Sequence, residues 1–160
     1  MTDLSTGAAQ AAISASKPSI VQERVLPASP DVVFKAWSDP ESLSVWMRPA
    51  EDMAKATVSV DFRIGGRFSI VMHGAERDYP HTGEYLEIVP NRKLVFTWVS
   101  HWFEPDEQNT RVTVTLEPMG AGETKLTLVH DQLPDSNSYD GHVHGWASIV
   151  SHMSDQLARV

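Results

Sequence analysis

The sequence predicts an α+β fold, in which a curved antiparallel sheet of about six to seven strands wraps around a long C-terminal helix. Three observations predict it. Residues 29–41 have apolar side chains at helical spacing, residues 54–130 alternate with a period of two, and residues 140–158 again have a one-sided apolar stripe. The turns between the strands are short, which favours an antiparallel meander over parallel βαβ units. Because such a sheet buries a single helix only by curling around it, we expect a cavity between the two.

The first strand is predicted over residues 19–27, and two short helices follow it. Ser29 suits an N-cap, and the adjoining proline suits the first helical position, where its missing N–H costs no hydrogen bond. Asp39 and Pro40 repeat this start for the second helix, with an acid near the positive end of the helix dipole. We expect Pro49 to end that helix.

The remaining strands are separated by turn residues, of which Gly65-Gly66 is typical of a hairpin. The predicted strands cover residues 54–63, 67–73, 80–89, 93–103, 110–118 and 123–130. Residues 131–140 are predicted as a loop, with Ser138 or Asp140 capping a final helix over about 140–158. Its apolar stripe consists of Val143, Trp146, Val150, Met153 and Leu157.

The domain organisation is simple. Residues 1–18 contain almost no large apolar side chain, so we predict a flexible tail there. No internal repeat is visible, and the length suits a single domain over residues 19–160.

The composition argues against several classes of function. The formal net charge is −8, and an acidic surface repels phosphate backbones, so we expect no nucleic-acid partner. The chain has no cysteine, which excludes disulfides, thiolate chemistry and cysteine-ligated zinc. No apolar run reaches the roughly 18 residues of a membrane span, and no signal peptide is visible. We therefore expect a cytoplasmic protein without membrane insertion.

Strand parity indicates which side chains face the final helix, and these are mainly aromatic, aliphatic and methionine residues. Such a lining suits an apolar or aromatic ligand, with Tyr85, Ser100 or His130 as polar groups that orient it. The alternative is that the same side chains fill a solid core, since packed interiors contain few voids. The predicted lining consists of Trp37, Trp46, Phe68, Ile70, Met72, Tyr85, Phe96, Trp98, Ser100, Trp102, Val114, Leu128, His130, Trp146, Val150 and Met153.

The sequence identifies no catalytic constellation. His142 and His144 lie two positions apart on a predicted helix and so point to different sides, and we expect no metal and no cofactor. Ser100 adjoins a histidine but lacks the glycines of a nucleophile elbow. His130 ends an inward-facing strand, where it is either a hydrogen-bonded core histidine or an acid/base group. The catalytic residues, if any, are unknown.

The order and spacing of several motifs over residues 20–158 carry a family resemblance. They are Pro30-x-x-Val33-Phe34-x-Ala36-Trp37-Ser38-Asp39-Pro40-Glu41, Leu43-x-x-Trp46, Phe62-Arg63-x-Gly65-Gly66-Arg67-Phe68, Gly83-Glu84-Tyr85-Leu86-Glu87-Ile88-x-Pro90, Leu94-Val95-Phe96-Thr97-Trp98, Thr124-x-Leu126-Thr127-Leu128-x-His130 and Gly145-Trp146. With these motifs the chain resembles the AHSA-type branch, the activator-of-heat-shock-protein-ATPase homologues, of the START-like (SRPBCC) superfamily. The resemblance implies a helix-grip fold around a hydrophobic cavity.

The resemblance also implies a range of functions. Relatives bind lipids, steroids, polyketides or hormones, some are cyclases or dehydratases, and the eukaryotic namesakes stimulate a chaperone ATPase but carry a separate N-terminal domain. The leading hypothesis is a protein that binds a small hydrophobic or aromatic molecule, and this is favoured over an enzyme. The alternatives are a START-like cyclase, dehydratase or hydrolase that uses a polar group in the cavity, and a stress-response or chaperone-activating interaction module. A homodimer is compatible with each.

Overall fold

An eight-stranded antiparallel sheet forms the body of the molecule in the computed structural model, which confirms the predicted α+β class. The structure describes residues 19–48, 52–108, 110–133 and 136–159. The strands are β1 (Ile20–Leu26), β2 (Thr57–Val60), β3 (Arg67–His73), β4 (Asp78–Val89), β5 (Lys93–Thr97), β6 (Val99–Ser100), β7 (Arg111–Pro118) and β8 (Thr124–Asp131). The helices are α1 (Pro30–Ser38), α2 (Pro40–Trp46) and α3 (Ser136–Ala158). The predicted tail over 1–18 and the predicted stop at Pro49 lie outside the described residues.

In the strand order β1-β8-β7-β5-β4-β3-β2, β4 connects the two ends of the sheet. Its first half pairs with β3 and, at His81 and Thr82, with β6, whereas its second half pairs with β5. The register shifts between Tyr85 and Glu87, and such a bulge bends and twists a strand. This bend separates the β2–β3 end of the sheet from the β5–β7–β8 end.

Both short helices begin where the sequence predicts, although their caps differ. Asp39 accepts a hydrogen bond from the backbone N–H of Ser42 at 3.0 Å and so caps α2. Ser29 occupies the N-cap of α1, but its hydroxyl donates to the Asp31 carboxylate at 2.5 Å instead of capping the backbone. Pro30 and Pro40 each take the first helical position.

The strand predicted over 93–103 is wrong in its second half, because the chain breaks between β5 and β6. The backbone N–H of Trp98 donates to the Thr110 carbonyl at 2.9 Å, outside the regular ladder. After β6 the N–H of Phe103 donates to the Ser100 carbonyl at 2.9 Å and turns the chain. Trp102 therefore lies in a turn and is 46% exposed, not on a buried strand.

The loop predicted over 131–140 is also wrong, because α3 begins at Ser136 and both suggested caps, Ser138 and Asp140, lie inside it. The polar sequence there resembles a loop. However, Tyr139 and Val143 pack against the core, and this tertiary contact overrides weak local propensity. Trp146, Val150, Met153 and Leu157 are buried, as the stripe predicts. No helix in the described part of the chain is both long and apolar enough to cross a membrane.

Candidate functional site

A cavity of about 850 Å³ lies between the sheet and the N-terminal half of α3. The helix side is lined by Gly141, His142, His144, Gly145, Trp146, Ser148 and Ile149. The opposite side is lined by Met53, Met72, Gly74, Ala75, Tyr79, His81, Trp98 and Trp102. Trp102 stands half-exposed, and the Gly74–Ala75 segment belongs to the β3–β4 turn. The mouth is thus bounded by turns, and the deep end by two buried tryptophans, Trp98 and Trp146.

Trp98 is the centre of the deep end. Its backbone N–H and C=O are both bonded to Thr110, through the Thr110 carbonyl and the Thr110 hydroxyl. Its indole N–H donates to Nε2 of His142 at 3.2 Å, and its ring contacts the Trp146 ring at a centroid distance of 5.0 Å. Trp98 is consequently held in place from both the strands and the helix.

His130 lies beneath these rings in a chain of hydrogen bonds whose direction is fixed. The Trp146 indole can only donate, so Nδ1 of His130, 2.9 Å away, must be the acceptor. A neutral ring then carries its proton on Nε2, which donates to the Thr110 hydroxyl at 3.1 Å. That hydroxyl in turn donates to the carbonyl of Trp98.

These hydrogen bonds limit what His130 can do in the folded protein. The residue is fully buried, and burial holds its pKa well below the usual value, with smaller contributions from His142 and His81. Both ring nitrogens are occupied by side chains, so the arrangement is that of a core histidine and leaves no nitrogen for acid/base work.

His81 is a buried polar residue of the cavity that was not among the predicted lining residues. It lies opposite Ser100 across the β4–β6 pair, and its Nδ1 is 3.0 Å from the Ser100 hydroxyl. Its ring stacks on Trp98 at 4.6 Å and 23°. Burial, followed by the nearby His142 and His101, lowers the pKa of His81 to about 3, so the ring is neutral at physiological pH. Parity offered a signal, because His81 lies four positions before the inward-facing Tyr85.

Two glycines form part of the helix wall and were also missed. Gly141 and Gly145 are four positions apart in α3, and a Cβ added to either one meets no atom within 4 Å. A glycine inside a helix costs roughly 1 kcal/mol relative to alanine. Two glycines four positions apart on one helix face therefore indicated, in the sequence, a face without side-chain volume.

Of the predicted lining residues, Met72, Trp98, Trp102 and Trp146 line the cavity. A second group borders a void of only about 10 Å³, namely Trp37, Phe68, Ile70, Tyr85 and Phe96. A third group is buried without bordering either space: Trp46, Ser100, Val114, Leu128, His130, Val150 and Met153. A ligand-binding role for any of them stays a prediction. No cluster of three or more potential metal ligands occurs in the described ranges.

Comparison with known proteins places this architecture. The family described as "Activator of Hsp90 ATPase homolog 1-like protein" (AHSA1) matches residues 27–158. The chain belongs to the AHSA1 family. This confirms the predicted AHSA-type branch of the START-like superfamily. No curated protein sequence matches this AHSA1 chain.

Solved structures show the same helix-grip fold along nearly the whole AHSA1 chain. Protein CV1439 from Chromobacterium violaceum is 26% identical, with a TM-score of 0.72 over 88% of this chain and 97% of that one. Protein MLL2253 from Mesorhizobium loti is 24% identical, with a TM-score of 0.73 over 89% and 98%. PFC0360w, described as an HSP90 activator from Plasmodium falciparum, is 23% identical, with a TM-score of 0.70 over 88% and 96%.

Proposed function

We propose that the protein binds a small, largely apolar or aromatic molecule in the cavity beside α3. The supporting observation is a space of about 850 Å³ walled by three tryptophans and two methionines, within the usual range for small-molecule sites. Packed interiors rarely contain voids much larger than a water molecule, so imperfect core packing does not account for this volume. Burial of apolar ligand surface, at about 25 cal/mol per Å² before the costs of association, supplies the affinity.

The rings at the deep end are suited to such a ligand because their polar atoms are already satisfied. The indole N–H groups of Trp98 and Trp146 are bonded to His142 and His130. A ligand therefore meets ring faces and edges without leaving a buried donor unpaired, and the wall needs no rearrangement to receive it.

The test uses the full chain with N-phenyl-1-naphthylamine, an uncharged probe that becomes fluorescent in apolar surroundings. We expect saturable binding that Gly145→Leu weakens at least tenfold, because a leucine there fills open cavity space. The helix keeps its stability, since leucine is a better helix former than glycine. Ala147→Leu is the matched control, because Ala147 is exposed on the same helix and does not line the cavity. Absence of saturable binding, or equal loss in both variants, contradicts the proposal.

A second candidate function is stimulation of a chaperone ATPase. It is favoured by the description of the family and by that of the Plasmodium falciparum neighbour. An assay of Hsp90 ATP turnover with and without the chain tests it, with denatured chain as the control. An unchanged turnover rate at saturating chain argues against this candidate and leaves the cavity proposal untouched.

A further inference from the structure

Resting on the proposed function, we propose that the molecule bound in the cavity is uncharged and carries a carbonyl-type oxygen, which accepts a hydrogen bond from Nε2–H of His81. Three features of the cavity favour such a ligand: the tautomer of the imidazole, the access to Nε2, and the charge of the surrounding wall.

Ser100 determines the tautomer. Its side chain is fully buried, and within the described part of the chain its hydroxyl has one hydrogen-bond partner, Nδ1 of His81. If Nδ1–H donated to the hydroxyl, the hydroxyl proton would be buried without an acceptor, which is costly. The hydroxyl therefore donates to Nδ1, and a neutral His81 carries its proton on Nε2.

Nε2 of His81 is directed to the cavity. No side chain or backbone group among the described residues forms a hydrogen bond with it. Among the described residues, the fully buried side-chain nitrogen and oxygen atoms without a hydrogen-bond partner are Trp37 Nε1 and Asp131 Oδ1. Nε2 of His81 is not one of them, so it is not fully enclosed. Since His81 is only 5% exposed and lines the cavity, the remaining opening of this donor is the cavity itself.

The wall favours an uncharged ligand. Among the residues that the structure describes, no lysine or arginine lines the cavity, and the chain carries a formal net charge of −8. A carboxylate there would lose its hydration without gaining a cation. The imidazole is held neutral by burial, so it offers a directed N–H dipole and no charge. A ketone, lactone or quinone oxygen fits these conditions.

The test compares fluorene with 9-fluorenone, which share one tricyclic shape and differ by a methylene and a carbonyl group. Displacement of N-phenyl-1-naphthylamine from the full chain measures both affinities. We expect fluorenone to bind about five- to tenfold more tightly, the worth of one neutral hydrogen bond in a desolvated site. We expect 9-fluorenone-4-carboxylate to bind more weakly than fluorenone.

The assignment to His81 is tested with the double variant His81→Phe/Ser100→Ala, which removes both partners and so leaves no buried hydroxyl unpaired. This variant should still bind both tricyclic compounds, but the fluorenone-to-fluorene affinity ratio should fall to about one, since the donor is gone. His101→Phe is the matched control, because His101 is exposed and does not line the cavity. Its ratio should equal that of the wild type.

The outcomes separate the two proposals. Equal affinity of the wild type for fluorene and fluorenone overturns this inference and leaves the proposed function standing. A fluorenone preference that survives in the double variant overturns the assignment to His81. Failure of both ligands and of the naphthylamine probe to bind overturns the proposed function, and this inference with it.

Discussion

The two ends of the interior are lined by the same face of the sheet, yet one is solid and the other is hollow. At the α1–α2 end, the Trp37 and Trp46 rings meet at 4.7 Å and the void is about 10 Å³. At the α3 end, glycines and a half-exposed Trp102 leave about 850 Å³. Aromatic content is high at both ends, so it is not what makes a cavity. The difference lies in what covers the rings: large side chains at one end, and at the other a helix wall that includes Gly141 and Gly145.

Truncation of a tryptophan at the solid end should destabilise the protein more than truncation of one at the cavity mouth. Trp46→Ala should lower the free energy of unfolding by about 3–5 kcal/mol, because the side chain is fully buried and its N–H bonds to the Ala36 carbonyl. Trp102→Ala at the mouth should cost less than about 1 kcal/mol while weakening binding of N-phenyl-1-naphthylamine. Urea unfolding measures both. Equal destabilisation by the two variants would contradict the contrast between the ends.

Acid should lower the free energy of unfolding through the two buried histidines, His81 and His130. The folded pKa of His81, about 3, lies below the ordinary 6.5, so its stabilising contribution is complete above pH 6.5 and declines as the pH falls toward 3. His130 shifts in the same direction. From pH 7 to pH 5 the lowered pKa of His81 should cost about 2 kcal/mol of unfolding free energy, and the lowered pKa of His130 adds a loss of the same sign.

Urea unfolding at pH 7, 6 and 5 measures this loss. His81→Gln removes one titrating group and should flatten the pH dependence by about 2 kcal/mol between pH 7 and pH 5. An unchanged slope in that variant would show that His81 is not held neutral in the folded state.

Two glycine substitutions should have opposite effects on stability. Gly83→Ala should destabilise by about 1–3 kcal/mol, because a Cβ there collides with the Thr97 carbonyl and the Phe68 ring. Gly145→Ala should stabilise by up to about 1 kcal/mol, since it gains helix propensity and meets open space. Thermal unfolding of both variants measures these two changes in stability. A stabilising Gly83→Ala would mean that the sheet is looser there than the contacts indicate.

The N-caps of α1 and α2, the helices that close the solid end, should contribute little to stability. Asp39→Ala removes the capping bond to the Ser42 N–H and should cost about 1 kcal/mol. Ser29→Ala should cost less than about 0.5 kcal/mol, because the Ser29 hydroxyl makes no capping bond. The same unfolding assay compares them, and a reversed order would show that Ser29 caps α1 in solution.

The fold was predictable because its information is local and periodic. The apolar stripe of α3 and the proline starts of α1 and α2 appear in the sequence as spacing. The break at Trp98 was not predictable, because it depends on hydrogen bonds to Thr110, a residue on the far side of a loop. The start of α3 was missed because packing of Tyr139 outweighs a polar local sequence.

The candidate site was only partly predictable, for a geometric reason. Parity identifies which face of a strand is inward but not which part of that face is covered. Phe96 and Trp98 share a face, yet Phe96 borders only the small void whereas Trp98 also borders the cavity. The cavity that Trp98 borders is also lined by Gly141 and Gly145, and a glycine on a facing helix does not show in the period of a strand.

The three cavity tryptophans differ in how far their indole protons are shielded, and this has a practical consequence for spectroscopy. Those of Trp98 and Trp146 are enclosed and bonded to imidazole nitrogens, whereas the Trp102 side chain is 46% exposed. In a nitrogen-15 NMR spectrum, the first two should exchange with deuterium slowly and shift downfield, and the third should exchange at once. A single spectrum thus reports on solvent access at the mouth and at the deep end of the cavity, without an added fluorophore.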